Sequence, residues 1–91
     1  MELELFYKLR KGDWVETVMG VGIIVHFGRW NGRKWIRSSR KKANGAYIYF
    51  DDKSEGYVDR TLIKRYLPPP PFGYIYKWEG DGKIITIKEK L

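Results

Sequence analysis

Between residues 29 and 42 the chain reads RWNGRKWIRSSRKK, with seven Arg or Lys residues, two Trp and no acid. Cations interleaved with indoles suit one chemistry above others: basic groups neutralise phosphates while the ring faces stack on bases. Arg29, Arg33, Lys34, Arg37, Arg40, Lys41 and Lys42 are the candidate phosphate contacts, and Trp30, with Trp35 nearby, is the candidate stacking surface. Trp30 adjoins the Asn31-Gly32 turn signal and is expected to be exposed. Trp35, beside Ile36, reads either as a second stacking ring or as a core plug at the base of a hairpin. Phosphate contacts position a protein without reading bases, so little sequence specificity is expected.

Other chemistries have less to build on. His26 is the single His, there is no Cys, and no carboxylate lies close to it in sequence, which argues against a metal site. Ser38, Ser39 and Ser54 fall in predicted loops far from His26, so no nucleophile has its base. Asp51, Asp52, Glu55 and Asp59 read as a solvated acidic turn rather than a cation site. No Walker-type phosphate loop is present. The expectation is a non-enzymatic protein without cofactor or small-molecule substrate. Tyr47 and Tyr49 would lie on one exposed strand face, as a protein-binding surface or, with Tyr74, Tyr76 and Trp78, as a seam against a terminal hairpin.

The 18 basic and 11 acidic residues give a net charge of +7, and the seven unopposed cations of residues 29 to 42 account for all of it. A single-sign cluster attracts a polyanion and raises its encounter rate, and nucleic acid is the commonest such partner. A chain of 91 residues supports one domain with one modest core. The absence of Cys suggests a reducing, cytoplasmic setting, and neither a signal-peptide pattern nor a membrane-length apolar run is present. Gln is missing and Asn occurs only at positions 31 and 44, a bias found in thermophile proteins.

The elements that must carry these residues read as short strands. Trp14 to Val18 alternates after the Gly12-Asp13 turn, and in Val21 to Phe27 the residues Val21, Ile23, Val25 and Phe27 share a predicted core face, with His26 opposite. Asn31-Gly32 predicts a two-residue hairpin turn leading back through Trp35-Ile36-Arg37. Ser38 to Gly45 reads as loop, its first residues through Lys42 as a flexible tail to the hairpin. In Ala46 to Phe50, Ile48 and Phe50 point inward. Tyr57 begins another strand, Thr61 to Leu67 reads as strand or helical turn, and Leu3 to Tyr7 as a strand available to pair with the terminal hairpin. Pro68 to Pro71 supplies no backbone donor and reads as a stiff link. Tyr74 to Glu79 and Lys83 to Lys88 flank Gly80-Asp81-Gly82 as that hairpin. The sum is an all-β chain: a strongly curved barrel over 10–67 with a basic insertion at 29–45, a proline linker at 68–73 and a C-terminal hairpin at 74–91.

Three stretches carry a resemblance: Lys11-Gly12-Asp13-Trp14-Val15, then Gly20-Val21-Gly22-Ile23-Ile24, then Tyr47-Ile48-Tyr49-Phe50-Asp51-Asp52. Together they resemble the SH3-like, Tudor-like small barrels found at the end of UvrD-type DNA helicases, in CarD-like transcription regulators and, more loosely, in KOW domains. The resemblance implies a small barrel and two classes of partner: DNA or RNA, or a protein of the transcription or DNA-repair machinery. The basic segment and the terminal hairpin depart from those families, which usually have a short connection at 29–45.

Overall fold

In a computed structural model of the chain, the described residues are 1–67, together with the backbone of the strands Tyr74–Glu79 and Lys83–Glu89. Within 1–67 the strands are β1 (Trp14–Thr17), β2 (Gly20–Trp30), β3 (Trp35–Arg37), β4 (Gly45–Phe50), β5 (Glu55–Asp59) and β6 (Ile63–Leu67). All six join one antiparallel sheet in the order β5-β4-β2-β1-β6, with β3 paired to the far end of β2. The order is open, with β5 and β6 at its two ends. The chain is all-β, as its alternating patterns require, and β7 (Tyr74–Glu79) and β8 (Lys83–Glu89) form a separate antiparallel pair. The proline segment and the side chains of Tyr74, Tyr76 and Trp78 lie outside the described residues.

The core sits on one face of this sheet. Val15, Ile24, Phe27, Ala46, Ile48, Phe50, Val58 and Ile63 are buried there with Phe6 and Leu9 from the N-terminal segment. Trp14 and Ile23 are also buried but pair across β1 and β2 on the opposite face.

Three expectations are corrected. Residues Leu3–Phe6 form one helical turn, α1, rather than a strand, with Phe6 N–H bonded to the Glu2 carbonyl at 2.9 Å. Leu and Glu are good helix formers and carry no β-branch, and the turn delivers Phe6 edge-on to Phe27 at 5.7 Å while Leu3 and Leu5 stay exposed. In β2 the ladder to β4 slips between Ile24 and His26, so Val25 is the extra residue of a β-bulge. The bulge resets the alternation: Ile24 and Phe27 face the core, whereas Val21 and Ile23 belong to the other face with His26, Gly28 and Trp30. The basic connection is not a flexible tail either, because Arg40–Lys42 forms a 3-10 turn followed by the buried Ala43. The Thr61–Leu67 ambiguity resolves as both elements in series: a 3-10 turn, Arg60–Leu62, capped by Asp59, and then β6.

Candidate nucleic-acid interface

The face opposite the core carries the aromatic residues of the hairpin. On β2 its positions are His26, Gly28 and Trp30; on β3, Trp35 and Arg37; on β4, Gly45 and Tyr47; on β5, Tyr57. Register brings His26, Tyr47 and Tyr57 into one cross-strand row, Gly28 and Gly45 into the next, and Trp30 and Trp35 into the last. The glycines decide what this face becomes. A Cβ at Gly45 would collide with the edge of the Trp35 ring, and one at Gly28 with the edge of the Tyr57 ring. Trp35 from one side and Tyr57 from the other occupy the space left by those absent side chains, and they stack on each other at 5.2 Å and 6°.

The rings form a continuous series. Trp30 tilts against Trp35 at 5.9 Å, Tyr57 meets Tyr47 edge-on at 4.9 Å, and Tyr47 stacks on His26 at 4.8 Å and 9°. Polar tips hold the far end. The His26 Nε2 and Tyr57 hydroxyl are 2.8 Å apart, and the Tyr47 hydroxyl donates to Glu55 Oε1 at 2.8 Å. That bond, with partial burial and the Glu55 charge adding to it, pushes the Tyr47 pKa up to about 12. Trp35 is thus neither core plug nor free ring: it is half-buried, fixed by Tyr57, and Trp30 beside it is 44% exposed.

The hairpin that presents Trp30 differs from the expected two-residue turn. Trp30 and Trp35 are the last paired rung, and Asn31 to Lys34 form a four-residue loop. Gly32 supplies the φ of 97° that the loop needs, and Asn31 Oδ1 accepts the N–H groups of Arg33 at 2.9 Å and Lys34 at 3.0 Å. Asn44 anchors the arm, its Oδ1 accepting the Trp30 N–H at 2.9 Å.

The seven cations separate by position. Arg33 and Lys34 stand exposed on the loop, and Arg37 belongs to the aromatic face. Arg29 is on the other side of the hairpin, donating to the Lys42 carbonyl at 3.3 Å. Arg40 donates to the Leu9 carbonyl at 3.2 Å, while Lys41 and Lys42 are exposed on the 3-10 turn. Tyr49 shares the face of Tyr47 and is half-buried opposite Ile23.

Sequence reasoning missed Tyr57 and gave His26 no partner. Gly28 and Gly45 were the available signal, since glycines facing each other across a ladder leave room for large neighbours. The acidic turn is occupied locally: Asp52 accepts from the Ser54 N–H and hydroxyl, which lowers its pKa, Asp59 caps the Arg60–Leu62 turn through Thr61, and Glu55 serves Tyr47. No three potential metal ligands converge among the described residues. Nor is any helix there long and apolar enough to cross a membrane. Comparison with protein-family models, with curated proteins and with solved structures returns no match for this chain.

Proposed function

We propose that this chain is a non-enzymatic nucleic-acid-binding module and that its ligand is single-stranded. The observation carrying this reading is the ring series Trp30, Trp35, Tyr57 beside the exposed cations Arg33 and Lys34. Stacking requires bases whose faces are free, which a duplex withholds along its length, and it tolerates any base because each has a π-face. Each stacked base contributes roughly 1–3 kcal/mol. Cations at the loop and on the 3-10 turn contact phosphate and supply affinity without reading sequence.

An SH3-like barrel is the finer fold reading. It is supported by the connectivity, a meander through β1, β2, β4 and β5 whose last strand, β6, returns to pair with β1. In that frame β3 and the 3-10 turn are the insertion, which places the binding elements in the segment where the resembled barrels are short.

The test is a salt-titrated binding series on single- and double-stranded DNA and RNA, read by Trp fluorescence. Arg33, Lys34, Arg37, Lys41 and Lys42 are the contacts assigned to phosphate, and about 0.7 per single-strand contact gives a log–log salt slope of about −3.5 if all engage. Charge reversal at Arg33, Lys34 and Arg37 is expected to abolish binding. No salt-sensitive affinity for any polynucleotide at 50 mM salt would overturn the reading. Binding to a protein partner that survives the charge reversal and is lost on Tyr47→Ala or Tyr49→Ala would favour docking to transcription or repair machinery instead.

A further inference from the structure

Behind the hairpin, on the side away from the rings, lies an open niche of about 500 Å³ lined by Arg10, Lys11, Phe27, Ser38, Ser39 and Arg40. Three of the six lining residues are cations and none is an acid. Arg10 and Lys11 come from the turn before β1, far in sequence from the basic segment. The 38–40 wall is held in place by backbone bonds, with Ser38 N–H donating to the Phe27 carbonyl at 3.0 Å and Lys42 N–H to the Ser39 carbonyl at 3.1 Å. Arg40 spans the two walls through its bond to the Leu9 carbonyl. Asp13, the nearest carboxylate in sequence, accepts the Arg10 backbone N–H at 2.8 Å and lines the neighbouring cleft, which shares Arg10 with the niche but has Asp13 outside the niche lining.

We infer that this niche is a second phosphate site for the same nucleic-acid strand, an inference that rests on the single-strand reading above. Guanidinium, ammonium and hydroxyl donors around one opening match the acceptor oxygens of a phosphodiester. Arg29 lies on this side as well. Between the ring face and the niche stands β3, whose outer edge is unpaired among the described residues. A strand stacked on the exposed Trp30 reaches the niche by crossing that edge. The binding site is therefore two-sided and longer than the ring face alone.

The experiment compares the Arg10→Ala/Lys11→Ala double variant with the wild type over oligothymidylates of increasing length. Both side chains are exposed, so the fold is expected to persist. A control, Lys53→Asn/Lys64→Ala, removes the same charge elsewhere, with Asn chosen because residue 53 has φ 72°. On a trimer, too short to leave the rings, both variants are expected to match the wild type. On long oligomers the Arg10/Lys11 variant is expected to have a salt slope shallower by about 1.4, and an affinity about 10- to 30-fold lower at 0.1 M salt, while the control stays near wild type. Equal losses in variant and control, or no loss at any length, would overturn the niche and leave the ring-face reading standing. Failure of the wild type to bind any oligomer would overturn both.

Discussion

Gly45 shows how much of the ring face depends on what is missing. A Cβ there would meet not only the Trp35 ring but also the Val58 carbonyl oxygen at 2.5 Å, and backbone cannot step aside as a ring edge can. At Gly28 the nearest obstacle is the Tyr57 ring, with the Ile36 carbonyl oxygen at 3.1 Å. Gly45→Ala is therefore expected to cost about 1–3 kcal/mol and Gly28→Ala less, as overpacking does when the neighbour gives. Thermal unfolding ranks the two, and near-ultraviolet circular dichroism reports whether the Trp35–Tyr57 stack survives. A larger cost at Gly28 would show that the rings, not the backbone, set the limit. Tyr47 makes a second prediction. Its folded pKa, about 12, lies above the ordinary value of 10.0, so the folded state holds its proton more firmly than the unfolded chain does. The stabilising contribution is complete below pH 10 and declines as pH rises towards 12. Glu55→Gln removes the charge, though not the acceptor, and is expected to bring the Tyr47 titration down, followed through its ring carbon shift. An unchanged titration would remove the Glu55 charge as a cause and leave its hydrogen bond, which Gln keeps.

At the level of elements, the β2–β3 arm is joined to the sheet by Asn44. Beyond the Gly28–Gly45 pair the β2–β4 ladder stops, and the Asn44 side chain takes over by binding the Trp30 N–H. Asn44→Ala is expected to cost about 1 kcal/mol, to speed hydrogen exchange in the arm and leave β1 and β6 unchanged, and to weaken oligonucleotide binding severalfold. Exchange that rises uniformly would mean that the arm and sheet open as one unit. Much of this arm was legible in the chain, because the strand patterns, the Asn31-Gly32 signal and the charge run are local properties. The loop length was not: Asn31 Oδ1 accepts from the Arg33 and Lys34 N–H groups while the Asn31 N–H donates to the Lys34 carbonyl at 3.2 Å, and those bonds are invisible to a dipeptide rule. Nor was the ring series, since Trp35 and Tyr57 meet across two intervening strands. The helical turn at Leu3–Phe6 was misread for a similar reason, as Leu3 and Leu5 alternate like a strand but of the four residues in the turn the core takes Phe6 alone.

Across the whole molecule, the sheet keeps two faces with separate duties: one closes the core, while the other buries Trp14 and Ile23 at one end and carries the ring series at the other. The bulge at Val25 lies between those ends. It gives β2 one residue more than β4 over the same span, so β2 has length in reserve. Removing Val25 leaves Ile24 and Phe27 on the core face and His26, Gly28 and Trp30 on the other, with a regular ladder in place of the bulge. The deletion is expected to yield a folded protein with altered twist at the ring face, seen as a cooperative melt and shifted Trp fluorescence. Deleting Ile48 from β4 has no such reserve to draw on; it turns every side chain beyond it to the wrong face, and the cooperative melt is expected to disappear. In evolutionary terms, loss of a codon, ordinarily ruinous inside a strand, is survivable at this bulge. Lineages carrying this fold should differ in length in the middle of β2 and hold β4 constant.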